Sequence, residues 1–257
     1  MKQRKGKSNS GPNTPPKSIL SIDVGGSKVK ILATGQSEPR RELTGPSMTP
    51  QQMVEAVQKM AEDWKYEAVS IGYPGQVGTD GPRSEPGNLG PGWVGFNFAA
   101  AFDRPVRILN DAAMQALGSY DGGRMLFLGF GTGLGSTLIA ESVIVPLELG
   151  QLPSRNGRTL GEVLGRAGLR RLGKKSWRRR VEQVVPALMS ALLADYVVLG
   201  GGNAKLLKDP PAGARLSNNL TAFRGGFRLW HLEDLPTMSG TDHAPAAPRP
   251  SPDWRVI

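Results

Sequence analysis

An α/β chain is predicted from three observations. Strand-like and helix-like segments alternate along most of the sequence. One unit, a strand, a Gly-rich turn and a second strand, occurs twice, at 19–34 and at 125–140. A third strand-like run, 196–199, ends on Gly200-Gly201-Gly202. The 257 residues suffice for one large domain or two smaller ones with real cores.

Residues 1–17 are basic, rich in Ser, Pro and Gly, and lack aliphatic periodicity, so a disordered tail is expected there. The first unit follows. Ile19, Leu20 and Ile22 form one apolar run, and Val29, Ile31 and Leu32 form the other. Between them lie Asp23, Gly25, Gly26, Ser27 and Lys28. The glycines permit a tight turn and let a ligand approach the backbone amides. With a carboxylate and a hydroxyl at its mouth, such a turn suits a polyphosphate and magnesium. Taken alone it reads equally well as an ordinary hairpin turn.

Thr49 can cap a helix that has Pro50 at its first position, with Met53, Val57, Met60 and Trp64 as the buried face. Residues 68–72 read as a short buried strand that runs into the Pro74-Gly75 turn. Residues 79–98 read as a long irregular loop carrying Asn88 and Trp93, and such loops often carry function. A short helix at 98–102 and a strand at 106–109 lead to Asn110-Asp111, with a helix from 112 to 118. Asn and Asp here are ordinary helix caps, but a strand's C-terminal end is also where α/β folds place ligand chemistry. The second unit is a strand at 125–128, a turn from Gly129 to Ser136 and a strand at 137–140. Residues 147–152 contain Glu148 and Gln151. A basic helical stretch, about 159–194, is expected to break near Gly173, and a closing helix is expected at about 220–230. Residues 236–257 are Pro-rich and are expected to be disordered.

Composition excludes several chemistries. There is no Cys, which removes disulfides, cysteine zinc sites and thiol nucleophiles. His231 and His243 lie at or beyond the end of the folded pattern, which disfavours a histidine base or metal cluster. No apolar run approaches the ~18–20 residues of a membrane span, and no apolar region marks a signal peptide. A cytoplasmic protein with no membrane partner is expected.

The net charge of +10 is local. Residues 1–17 contribute five cations without an acid. Residues 163–181 contribute eight, Arg166, Arg170, Arg171, Lys174, Lys175, Arg178, Arg179 and Arg180, again without an acid. With +5 and +8 in these two segments, the rest of the +10 chain is net −3, so the fold itself is not basic. On a continuous helix Arg170, Lys174 and Arg178 would form a positive strip. Like charges at that spacing cost roughly 0.2–0.5 kcal/mol per pair. A polyanion, inorganic polyphosphate or RNA, could offset that cost, and a solvated surface helix is the plainer reading.

The second Gly-rich turn, Gly131-Thr132-Gly133-Leu134-Gly135-Ser136, is neither a P-loop nor a dinucleotide fingerprint, and a hairpin follows it rather than a helix. Two Gly/Ser/Thr hairpins facing each other would clamp a triphosphate, and Gly200-Gly201-Gly202 would offer a flat surface to an adenine ring. Three Gly-rich turns that only turn is the minority reading. In chain order the motifs resemble the ROK-type sugar kinases of the actin-like ATPase superfamily, most of all the polyphosphate or ATP glucokinase branch. The resemblance covers about residues 18–230. Asp23-Val-Gly-Gly-Ser-Lys-Val-Lys30 is similar to the first phosphate loop, with Ser27 for Thr, and Gly72-Tyr-Pro-Gly75 to the Gly-x-Pro-Gly turn. Asn88-Leu with Trp93 is similar to the sugar loop, and Asn110-Asp111 to the sugar-binding Asn and catalytic Asp. Gly131-Thr-Gly-Leu-Gly135 is similar to the second phosphate loop, and Gly200-Gly-Gly202 to the adenosine motif.

The resemblance implies two ribonuclease-H-like lobes, 18–112 and 113–235, with a cleft between them and tails at 1–17 and 236–257. It implies transfer of a phosphoryl group from ATP or polyphosphate to a hexose, foremost the 6-hydroxyl of glucose. Asp111 would be the general base. Asn88, Asn110 and Glu148 would hold the sugar, with Gln151 a further contact. Asp23 would position Mg²⁺ directly or through water. Gly25, Gly26, Ser27, Lys30, Gly131, Thr132 and Gly133 would hold phosphates, and Gly201 and Gly202 would pass beneath the adenine. A homodimer is left open, and a nucleic-acid partner is disfavoured. The family's Glu-x-Gly-His reads here as Glu148-Leu-Gly-Gln151, and its Cys-rich zinc loop is absent, so no zinc site is expected. The alternatives are a non-catalytic sugar-binding regulator and a polyphosphate- or RNA-binding protein acting through 163–181.

Overall fold

The computed structural model describes residues 15–218, 220–235 and 255–256. The first apolar unit forms β1 (Ile19–Val24) and β2 (Lys28–Ala33), paired antiparallel, and β3 (Arg40–Leu43) extends the meander. Helix α1 (Pro50–Met60) starts at Thr49, whose hydroxyl accepts from the Gln52 amide while the Gln52 side chain accepts from the Thr49 amide. Strand β4 (Ala68–Tyr73) lies parallel to β1 and is buried on both faces. A two-residue ladder joins β5 (Val77–Gly78) to β6 (Gly81–Pro82), and α2 (Phe98–Phe102) precedes β7 (Val106–Asn110), which is parallel to β4. The sheet order is β3-β2-β1-β4-β7.

After α3 (Asp111–Ser119) the plan repeats. Strands β8 (Met125–Phe130), β9 (Leu134–Ala140) and β10 (Val143–Leu147) form an antiparallel meander. Helices α4 (Leu160–Leu164) and α5 (Arg166–Ala191) lead to β11 (Tyr196–Gly200), and β12 (Ala214–Leu216) follows, both strands running parallel to β8. The chain then forms α6 (Thr221–Arg228), and β13 (Arg255–Val256) adds to the outer edge of β10. Without β13 the order β12-β11-β8-β9-β10 reproduces the first sheet, a three-strand meander with two parallel strands beside its first strand.

Each lobe has its own core. Leu20, Ile22, Val29 and Ile31 pack with Met53 and Val57 of α1 in the first. Leu126, Leu128 and Phe130 pack with Trp177, Val181 and Val185 of α5 in the second. A third cluster, around Ala113, Met114 and Leu117 of α3, takes Met125, Phe127 and Val198 from the second sheet. Helix α3 is thus a shared wall, and the half-buried Asp111 opens its first turn.

Helix α6 crosses back to the first lobe. It packs against α3 so closely that a Cβ on Gly225 would overlap the Met114 carbonyl. Ser70 of β4 donates to the Gly226 carbonyl at 2.6 Å and accepts from the Trp230 indole at 2.8 Å. The helix expected near the end of the 113–235 lobe thus also makes a contact 156 residues away in the chain. Six strands were not expected, β5, β6 and β10 (Val-Ile-Val-Pro-Leu) and three more. Strand β3 reads Arg-Arg-Glu-Leu, β12 is a three-residue edge and β13 falls in the segment expected to be disordered. Backbone pairing defines these last three, not an apolar pattern. The expected tail at 1–17 lies outside the described residues up to residue 14, as does most of 236–257. The expected break in the basic helix is present. Gly173 has φ 72° and ψ 162°, so the strip Arg170–Lys174–Arg178 is not continuous. No helix among the described residues is long and apolar enough to cross a membrane.

Candidate active site

Two hairpin turns and one helix start make the site. In the first turn the Gly25 amide donates to the Lys28 carbonyl at 3.0 Å. Thr44 clamps the turn from outside: its hydroxyl donates to the Gly25 carbonyl at 2.7 Å and its amide to the Ser27 carbonyl at 3.1 Å. Gly26 and Ser27 are exposed. A Cβ on Gly26 would come within 2.8 Å of the Asn88 Cβ, so a glycine there lets the 86–93 loop lie against the turn. Asp23 and Lys30 face each other across the β1–β2 ladder and form an ion pair of 2.8 Å.

The second turn is braced from two sides. The Arg166 amide donates to the carbonyls of Gly131 (3.0 Å) and Thr132 (3.2 Å), and the Asn203 side chain donates to Gly131 (3.3 Å). Thr132 and Gly133 are exposed. A Cβ on Gly131, Gly133 or Gly202 would meet nothing within 4 Å. Packing does not demand glycine at these three positions. At Gly133 and Gly202 what glycine leaves is bare amide surface, which suits a bound anion, whereas the Gly131 amide donates to the Gly133 carbonyl at 3.1 Å. Gly201 differs: its φ is +79° and it lies against the Phe130 backbone, so it makes the turn out of β11.

Asn110 and Asp111 divide the labour at the start of α3. Asn110 is the cap, as its residue type allowed. Its Oδ1 accepts from the amides of Ala112 (3.0 Å) and Ala113 (3.3 Å), and its Nδ2 donates to the Gly75 carbonyl at 3.1 Å. One N–H of that amide group remains for a ligand. Asp111 Oδ1 accepts from the Ala112 amide at 2.7 Å. Its pKa is pushed up to about 7, first by burial, then by the Asp23 carboxylate and, less, by Glu148, against the lowering pull of the Ala112 amide. Carboxylates from β1 and from the turn after β10 thus both act on the one that opens α3.

Glu148 precedes a short 3₁₀ turn (Leu149–Gln151) that Gln151 closes, and both are exposed. Trp93 is fully buried between Tyr73 and Phe98, with ring centroids 5.7 and 6.2 Å away, and is a packing residue. The loop it sits in is held by Glu85, whose carboxylate accepts from the amides of Trp93 (3.1 Å) and Val94 (3.3 Å). Those amides hold the Glu85 pKa below the usual range. Glu85, Thr44 and Asn203 were not singled out from the sequence, since isolated polar residues in loops carry no local signal. A cavity of about 710 Å³ runs beside β7 and includes Asn110, yet it takes in none of Asp23, Asp111 and Glu148.

No family model matches the chain. Polyphosphate glucokinase of Mycobacterium leprae is 28% identical over 211 residues, covering 70% of this chain and 62% of that protein. The Mycobacterium tuberculosis H37Rv polyphosphate glucokinase is also 28% identical over 211 residues, covering 70% and 76%. Among solved structures, the inorganic polyphosphate/ATP-glucomannokinase of Arthrobacter sp. strain KM superposes with a TM-score of 0.71 at 21% identity, over 86% of this chain and 100% of that one. The chain resembles the ROK-type sugar kinases. A ROK family glucokinase from Streptomyces griseus, solved with glucose and AMPPNP, gives a TM-score of 0.61 at 16% identity over 82% of this chain and 98% of that one. The fold is therefore the two-lobed actin-like one. The ROK-like chain spans under two thirds of the length of the M. leprae relative.

Proposed function

We propose that this chain is a ROK-type hexose kinase that transfers a phosphoryl group from ATP or inorganic polyphosphate to the 6-hydroxyl of glucose. The observation that carries the reading is Asp111, a carboxyl near the two Gly-rich turns whose pKa is held at about 7. A base is most effective when its pKa lies near the working pH. A sugar-binding regulator has no use for such a group.

Asp111 would take the proton of the sugar hydroxyl as that oxygen bonds to the terminal phosphorus. The bridging P–O bond breaks, releasing ADP or a polyphosphate shorter by one unit. Asn88, the free N–H of Asn110, Glu148 and Gln151 would hold the sugar. The bare amides at Gly26, Thr132 and Gly133, with Ser27 and Lys30, would hold the phosphates, Gly25 and Gly131 would shape the two turns with amides bonded inside them, and Gly201 and Gly202 would lie under the adenine. Positioning and charge stabilisation do most of the work in such a transfer.

No group of three His, Cys, Asp or Glu that could hold a metal occurs among the described residues. Mg²⁺ does not need one, because it keeps waters and phosphate oxygens and takes one or two carboxylates. Asp23, at the mouth of the first turn and 19% exposed, fits that role. When bound, Mg²⁺ would neutralise charge on the transferred phosphate.

The proposal includes a surface for polyphosphate. Among the described residues no cation of 163–181 is in an ion pair, and the Arg166 amide joins this segment to the second phosphate turn. Arg170, Lys174, Lys175 and Arg179 are exposed there. Because the reaction uses donors held in the cytoplasm, that compartment is part of the proposal. The test is a coupled assay of glucose phosphorylation by the purified chain with ATP and, separately, polyphosphate. Absence of turnover with both donors, for glucose and for other hexoses, would reject the reading.

A further inference from the structure

Leu134, Gly135 and Ser136 open β9 directly after the second phosphate turn, and each touches a different part of the site. Gly135 lies on the residue after Asp111: a Cβ there would be 3.0 Å from the Ala112 Cβ. The Leu134 carbonyl lies under Gly150, where a Cβ would come within 2.8 Å. Ser136 is 1% exposed and spends its hydroxyl on the two neighbours of Glu148. Its Oγ donates to the Leu147 carbonyl at 2.8 Å and accepts from the Leu149 amide at 3.1 Å.

This arrangement has a clear local cause. The β9–β10 ladder ends at the Ser136–Leu147 pair. Beyond it the chain turns through Glu148 into the 3₁₀ turn, and the Ser136 hydroxyl supplies the bonds the ladder no longer provides. The Glu148 side chain is exposed and makes no hydrogen bond or ion pair among the described residues. Its placement near Asp111 therefore depends on its backbone, and Ser136 holds that backbone on both sides.

We propose that Ser136 is the positioning residue for Glu148, tying the acceptor-sugar carboxylate to the strand that carries the donor turn. This rests on the hexose-kinase reading above. The same three residues of β9 set the donor turn, the start of α3 and the Glu148 corner against one another. Movement of the donor turn on phosphate binding is then felt at Glu148 through a short, rigid connection.

The test is a double-mutant cycle of Ser136→Ala and Glu148→Gln, assayed for sugar KM, donor KM and the pH profile of kcat/KM. Ser136→Ala is expected to raise the sugar KM about tenfold, the scale of one lost hydrogen bond, with a much smaller change in donor KM. It also lowers the kinetic pKa of the base, because the Glu148 charge is no longer held near Asp111. Both effects disappear on the Glu148→Gln background. Additive effects, or equal shifts in sugar and donor KM, overturn the proposal. If the Ala variant fails to fold, Ser136→Thr and Ser136→Val are compared instead. They are near-isosteric, so their difference reads the hydroxyl alone, and equal sugar KM and pH profile in the two overturn the proposal. A wild-type chain that phosphorylates no hexose would instead reject the kinase reading.

Discussion

Asp111→Asn is predicted to inactivate the protein and stabilise it. Asp111 has an ordinary value of 3.8 and a folded value of about 7, so the folded state holds its proton where the unfolded chain has lost it. Between those values stability falls as pH rises, and above about pH 7 the full penalty applies. A rise of about 3 units at 1.36 kcal/mol each gives a ceiling of about 4 kcal/mol. Asp111 is part-buried rather than sealed, so about 2–4 kcal/mol is expected. Asparagine removes the charge and keeps an oxygen for the Ala112 amide. For a fold of this size that gain raises Tm by roughly 4–16 °C at pH 8. The gain should shrink steadily as pH falls and be small by about pH 4. Turnover should fall by about 10²–10⁴, the usual contribution of a positioned base. Denaturant unfolding of both proteins at pH 8 and pH 4, with a coupled phosphorylation assay at pH 8, measures all three quantities. An Asn variant no more stable than wild type at pH 8 refutes the raised pKa. One with wild-type turnover refutes the base.

The kcat/KM for the sugar should rise with pH through about 7 as Asp111 loses its proton, and Glu148→Gln should move that rise to lower pH by removing a like charge. Gly133→Ala should fold with wild-type Tm, since its Cβ meets nothing within 4 Å, yet raise the donor KM. Unchanged donor KM would leave the second turn as only a turn. Replacing Arg170, Lys174 and Lys175 together by Ala should raise the ratio of KM for long polyphosphate to KM for ATP about tenfold or more at low salt, and the ratio should fall back at high salt. A constant ratio removes the segment from donor binding.

The legible features were local. The two Gly-rich hairpins, the capped start of α1, the strand ending at Asn110 and the break at Gly173 each follow from turn chemistry, caps or periodicity within a few residues. The repeated strand–turn–strand unit also announced the repeated sheet, although the two copies share element order and not identity. The choice between cap and ligand at Asn110-Asp111 was open in the sequence, because both uses favour the same residues. The structure assigns the cap to Asn110, while Asp111 gives one oxygen to the Ala112 amide.

By itself, then, the sequence determined an α/β chain with two Gly-rich hairpin turns and a strand-end carboxylate between them. The tertiary structure decided how these act together. Asp111 is shifted first by burial and then by Asp23 and Glu148, residues 88 and 37 positions away by their numbers, and no local pattern encodes either the burial or the field between them. The same holds for α6, which closes on β4 of the first lobe, and for β3, β12 and β13, which exist because a neighbour's backbone bonds them. Contacts of this kind are set by which surfaces meet in space, and only the folded chain brings those surfaces together.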